Sequence, residues 1–126
     1  TVDAPIGRHP VNRTSMAVVE RGKEARTHVA PVERFGAATL VRCTLDTGRT
    51  HQIRVHLAAI GHPLVGDPVY GGRRAPGVPA FARQALHARR LAFVHPVTRR
   101  TMSFESPLPA DVAALLDAMR AASKRP

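Results

Sequence analysis

Apolar and polar positions alternate most cleanly at Thr39 to Asp46, where Thr39, Val41, Cys43 and Leu45 are interleaved with Leu40, Arg42, Thr44 and Asp46. A period of two is the mark of a half-buried strand. Upstream, Met16 to Val19 is a short apolar run that ends at Glu20-Arg21-Gly22-Lys23, a turn leading into a second extended stretch from Ala25 to Phe35. Three successive strands with short links predict an antiparallel meander over residues 16–46. The pattern then changes to a helical one: Ile53, Leu57 and Ile60 fall at i, i+4 and i+7, with Thr50 as the expected N-cap and Gly61-His62-Pro63 as the stop. Arg54 lies one position round from that stripe, at the rim of the buried face. A guanidinium there is costly unless an anion meets it.

Residues 1–15 carry Pro, Gly and basic side chains without periodicity and are expected to form a loop or arm, as is the segment 72–84 with Gly72, Pro76, Gly77 and Pro79. Strands are expected over 85–105, one from Ala85 to Val94 closed by His95-Pro96 and one from Thr101 to Glu105. The last element is a helix over 110–123, in which Val112, Leu115, Leu116 and Met119 repeat at i, i+3, i+4 and i+7. Pro109 and Asp111 suit its start, and Arg120, Lys124 and Arg125 suit its end. Strands with two unlike helices make an α+β class, and a chain of this size makes one domain, 1–126.

Charge narrows the function. Nineteen Lys plus Arg against nine Asp plus Glu give a net charge of +10, and only Lys23 and Lys124 among the nineteen are Lys. So strong a positive balance predicts an anionic partner, and an Arg-dominated one favours phosphate. No apolar run is long enough to suggest a membrane partner. The single Cys43 allows no internal disulfide. A metal is not expected: among the seven His, His51 and His56 are five apart and do not share a helix face. Asp46-Thr47-Gly48 has the letters of an aspartic protease motif, but the basic residues after it do not supply the sheltered dyad such chemistry needs.

The segment Gly48 to Gly72, GRTHQIRVHLAAIGHPLVGDPVYGG, resembles the C-terminal signature of the RluA/RluD-type RNA pseudouridine synthases. The stretches PIGRHPVNRTSMAVVERGKEARTHV before it and RQALHARRLAFVHPVTRRTMSFESPLPADVAALLDAMR after it are similar to the same family in order and spacing. The resemblance implies isomerisation of uridine to pseudouridine in RNA, ribosomal large-subunit RNA above all, without cofactor or metal and in the cytoplasm. It implies a mixed, mainly antiparallel sheet with flanking helices. It also implies that Arg54, in H-Q-I-R-x-H, partners the family's nucleophilic aspartate.

That aspartate, in R-L-D-x-x-T-S-G, and the family's K-x-Y tyrosine are both missing from these 126 residues. The expectation is therefore a C-terminal fragment of the catalytic domain (signature helix and loop at 47–71), inactive alone and prone to self-association, with Arg54 open to solvent, an ion or another chain. RNA contacts are expected from Arg49, His51 and Gln52 at the signature helix, from Arg8 and Arg13 in the arm, and from Arg73 and Arg74 in the loop. Gly61, His62, Pro63, Gly66, Asp67 and Tyr70 are expected to serve as structural turn residues, and Tyr70 is not the active-site tyrosine. The alternative is a non-catalytic basic RNA-binding or ribosome-associated module.

Overall fold

A computed structural model describes residues 1–74, 76–88, 90–94 and 100–123. Strands β1 (Val2–Asp3), β4 (Arg26–Arg34) and β5 (Thr39–Leu45) form one sheet in the order β1-β4-β5; β2 (Ile6–Arg8) pairs with β3 (Met16–Val18), and β6 (Arg90–Val94) with β7 (Thr101–Glu105). Every pairing is antiparallel. Helix α1 (Gln52–Ala59) follows β5, and α2 (Ala110–Ser123) follows β7. The class is α+β, as expected.

The strand from Thr39 and the C-terminal helix lie where their periodicity puts them. Val112, Leu115, Leu116 and Met119 are all buried. With Phe35, the last three make one core, packed by Ala38 and Leu40 from the β4–β5 turn region and by Val65, Phe81 and Ala85 from the loops. The helix start is built as the residues suggest, with the Ala113 amide donating to the Pro109 carbonyl and the Asp111 carboxylate accepting from the Val112 amide. Along β4 the register slips between Pro31 and Glu33, leaving Val32 out of the pairing and 53% exposed. Pro31 has no N–H to give a ladder, so a bulge is a natural place for it.

Three expectations need correction. Residues 1–15 are more than a loop or arm: they supply β1 and β2, and Ile6 is buried in a second core with Ala25 and Val55, flanked by Met16 and Tyr70. The β2–β3 turn is held by its own polar groups. His9 Nδ1 accepts from the amides of Val11 and Asn12, and Asn12 Oδ1 accepts from the Thr14 hydroxyl. Consequently β3 pairs with β2 instead of opening a meander, and β4 takes β1 and β5 as its neighbours.

The strand expected from Ala85 begins only at Arg90. Arg83 draws the preceding segment into a turn, donating from Nη1 to the carbonyls of Gln84 and Leu86, while the Ala85 amide bonds to Val65. Arg89, Arg99, Lys124, Arg125 and the His95-Pro96 end of the strand lie outside the described residues.

In α1 the apolar stripe is only part of the buried face: Leu57 is buried and Ile53 half-buried, but the stripe's last residue and most of the other buried positions depart from it. Ile60 is 48% exposed, whereas Gln52, Arg54, Val55, His56 and Leu57 are buried. Three of those five are polar, and each is satisfied by a specific partner, as buried polar groups must be.

Candidate functional site

The turn entering α1 is organised by side chains. Thr47 Oγ1 accepts from the Arg26 amide at 3.0 Å and donates to Gln52 Oε1 at 2.7 Å; the same oxygen accepts from the Arg49 amide at 3.0 Å. Gln52 Nε2 in turn donates to the Arg26 carbonyl and to Thr27 Oγ1. Its amide is fully used inside the chain, and the residue is 3% exposed. Gln52 is therefore a brace between β4 and the helix and is removed from the expected RNA contacts.

His51, not Thr50, occupies the N-cap position. It has a left-handed backbone, φ 54°, and makes no side-chain cap. Its ring turns instead to Tyr70: Nδ1 is 2.9 Å from the phenol oxygen, and the rings meet edge to face. His56, wholly buried, links Thr27 Oγ1 through Nδ1 and the Ala4 carbonyl through Nε2, both at 2.8 Å. It ties the helix to β4 and to the chain after β1.

Helix α1 stops at Gly61, which takes φ 85°. The Gly61 amide bonds to the Ala58 carbonyl and the His62 amide to the Leu57 carbonyl, a paired closure that satisfies the last carbonyls. Pro63 then leads into the tight loop that presents Asp67. Gly66, at φ 77°, is packed so closely that a Cβ would fall 2.2 Å from the Arg83 carbonyl oxygen. Any other residue there would push the loop off its support.

Arg54 and Asp67 form the centre of the site. Arg54 Nε donates to Asp67 Oδ2 at 2.8 Å and Nη2 to Oδ1 at 2.9 Å, a bidentate pair whose side chains are 10% and 0% exposed. Asp67 Oδ1 also accepts from the amides of Val69 and Tyr70, each at 3.0 Å. The Tyr70 ring lies 5.1 Å from the Arg54 guanidinium carbon, within cation–π range. Tyr70 closes the arrangement by accepting the Met16 amide proton at its hydroxyl, 2.9 Å away.

Burial alone would push the Asp67 carboxyl up; the Arg54 hydrogen bond, the two amides and the Arg54 charge outweigh it and hold the group at about 2. The Asp67 hydrogen bond raises Arg54 against the opposing effect of burial.

This corrects the expectation that Arg54 lies open. Its carboxylate is supplied from 13 residues downstream in the same chain. Two nitrogens are thereby occupied, and Nη1 has no hydrogen-bond partner among the described residues.

The remaining expected RNA contacts separate. Arg8 and Arg49 line one cleft; Arg13 is exposed, and its carbonyl accepts from Arg8 Nη1 at 3.1 Å. Arg73 and Arg74 are exposed on the wall of a different cavity of about 410 Å³, bordered by Pro63, Gly66, Asp67 and Val78. Two cations of the first cleft, Arg21 and Lys23, were absent from the expected contacts because they sit in what reads as a plain turn. No local pattern marks Asp67 as the partner of Arg54 either.

Comparison with known proteins bears on this geometry. A family model described as RNA pseudouridylate synthase matches residues 1–59. The chain is similar to the ribosomal large subunit pseudouridine synthase D of Nitrosomonas europaea, 59% identical over 94% of this chain and 36% of that protein. The proteins of the same name from Pseudomonas aeruginosa and Escherichia coli are 56% and 51% identical, over 41% and 40% of their lengths. The chain thus spans well under half of the curated relatives it matches. Among solved structures, human RNA pseudouridylate synthase domain containing 1 superposes with a TM-score of 0.68 at 27% identity, over 95% of this chain and 58% of that one.

Proposed function

We propose that the chain belongs to the RNA pseudouridylate synthase family and is the part of such an enzyme that supplies the electrostatic partner of the nucleophile and one wall of an RNA cleft. The reaction is the isomerisation of uridine to pseudouridine in RNA, with ribosomal large-subunit RNA as substrate, the class for which the similar bacterial proteins are named. No metal or organic cofactor takes part, and the enzyme works in the cytoplasm.

One observation carries the reading: Arg54, in the motif HQIRVH, is a buried cation immobilised by a bidentate carboxylate, with no partner for Nη1 among the described residues. A second carboxylate brought to Nη1 would be held ionised by the guanidinium, and only the ionised form is a nucleophile. That carboxylate is an aspartate of the family's R-L-D motif, contributed by polypeptide outside these residues. The target base is flipped from its stack. Attack by the aspartate at the ribose C1′ breaks its bond to N1; the freed uracil turns, C5 bonds to C1′ and displaces the carboxylate, the C5 hydrogen leaves as a proton and N1 takes one up.

The test uses the full-length protein and RNA tritiated at uracil C5. Release of tritium into water is expected, and Arg54→Lys should reduce turnover on the order of 100-fold, because an ammonium cannot hold two carboxylates in a planar fork. Tight RNA binding with no release would overturn the enzymatic reading in favour of a basic RNA-binding module.

A further inference from the structure

We propose that the cleft between the β2–β3 hairpin and the turn entering α1 is a phosphodiester subsite for the RNA strand beside the reacting nucleotide, with Arg21 and Lys23 as its unassigned cations. The inference rests on the pseudouridine synthase reading and adds to it a place for the backbone.

The cleft has a volume of about 480 Å³, and Arg8, Arg21, Lys23 and Arg49 line it together with Ile6 and Met16. No carboxylate is among its lining residues. Four arginines outside the cleft meet acids: Arg26 pairs with Asp3, Arg54 with Asp67, Arg83 with Asp111 and Arg120 with Glu33. Among the described residues none of the four cleft cations is in an ion pair. Four like charges gathered without a counterion repel one another, and an anion seated between them removes that repulsion.

Backbone geometry fixes the turn from which Arg21 and Lys23 project. Ile6 and Lys23 exchange amide-to-carbonyl bonds in both directions at 2.9 Å. Gly22 lies so near the Ile6 backbone that a Cβ would come within 2.5 Å of its carbonyl carbon. Arg21 and Lys23 flank that fixed contact. Arg49 is anchored through Nε to the Glu24 carbonyl at 2.7 Å, and among the described residues its two terminal nitrogens have no partner. Arg8 spends Nη1 on the Arg13 carbonyl, and among the described residues its Nε and Nη2 have no partner.

Position supplies the last step. Met16 lines the cleft and donates its amide to Tyr70, whose ring faces the Arg54 guanidinium. Met16 and Tyr70 therefore connect the lining of the cleft to Arg54. A strand that delivers a base to Arg54 carries its neighbouring phosphates past these cations. Phosphate contacts of this kind set position and affinity without reading sequence.

The test compares the full-length protein with its Arg21→Ala/Lys23→Ala double variant, titrating ribosomal RNA and an unrelated structured RNA at several salt concentrations. The double variant should bind both RNAs on the order of 10-fold more weakly at low salt, and the slope of log affinity against log salt should shrink by roughly 1.5 to 2, one counterion-release increment for each lost contact. In tritium-release assays the loss should appear in KM. Unfolding curves matching the wild type would show that the effect is on binding. Wild-type affinity and slope in the double variant would overturn the subsite, as would a loss confined to one RNA or to kcat. If the wild type binds RNA yet releases no tritium, the enzymatic reading fails while the salt slopes still decide the subsite.

Discussion

The two helices bury themselves by opposite means. Helix α2 covers Phe35 and its neighbours with Leu115, Leu116 and Met119, an apolar face that any well-shaped hydrophobic surface could receive. Helix α1 buries Gln52, Arg54 and His56 beside Val55 and Leu57, and each polar group has a named acceptor or donor on another segment. Apolar burial tolerates small changes of shape, whereas a buried polar network is satisfied or strongly penalised. The part of the molecule assigned to chemistry stands on the second kind.

Removing one partner of the buried pair should give the largest effect. Asp67→Ala leaves a buried guanidinium and two amides unpaired and is expected to lower stability by roughly 3–5 kcal/mol, measured by urea unfolding. Replacing both partners with apolar residues, Arg54→Met with Asp67→Leu, should recover part of that loss; a double variant as unstable as the sum of its singles would mean that the pair is not what holds α1. On α2, Leu116→Ala should cost about 3 kcal/mol through the cavity it leaves. A much smaller value would show that the C-terminal core collapses around the gap.

Acid provides an intermediate test. Asp67 drops from 3.8 to about 2 on folding, so its contribution is fully present above pH 4 and is lost as pH falls through about 2. The depressed value corresponds to roughly 2 kcal/mol. Acid unfolding of wild type should show that loss between pH 4 and 2, and Asp67→Asn should lack it. The smallest effect is expected at Ile60, nearly half exposed despite its place on the apolar stripe: Ile60→Ser should change stability by no more than about 0.5 kcal/mol. A loss of 2 kcal/mol or more would return Ile60 to the core and contradict the polar face of α1.

Local repetition was legible from the amino-acid order. The stripe of α2, the alternation of β5 and the glycine stop after α1 each arise from a period or a backbone preference that operates within a few residues, so they survive whatever the rest of the chain does. Net charge, being a sum, was equally readable, and so were a helix around Arg54 and its glycine stop. The arrangement of that segment was not. Whether a rim arginine meets water or acid depends on a loop 13 residues away; whether His56 is a surface base or a rivet depends on Ala4, 52 residues back. Arg21 and Lys23 look like a solvated turn until β2 folds beside them and places Arg8 and Arg49 across the same space. Covalent geometry sets the elements because it acts along the chain, but polar partners and charged clefts are made across it, by whichever distant segments the packed cores bring within hydrogen-bond reach.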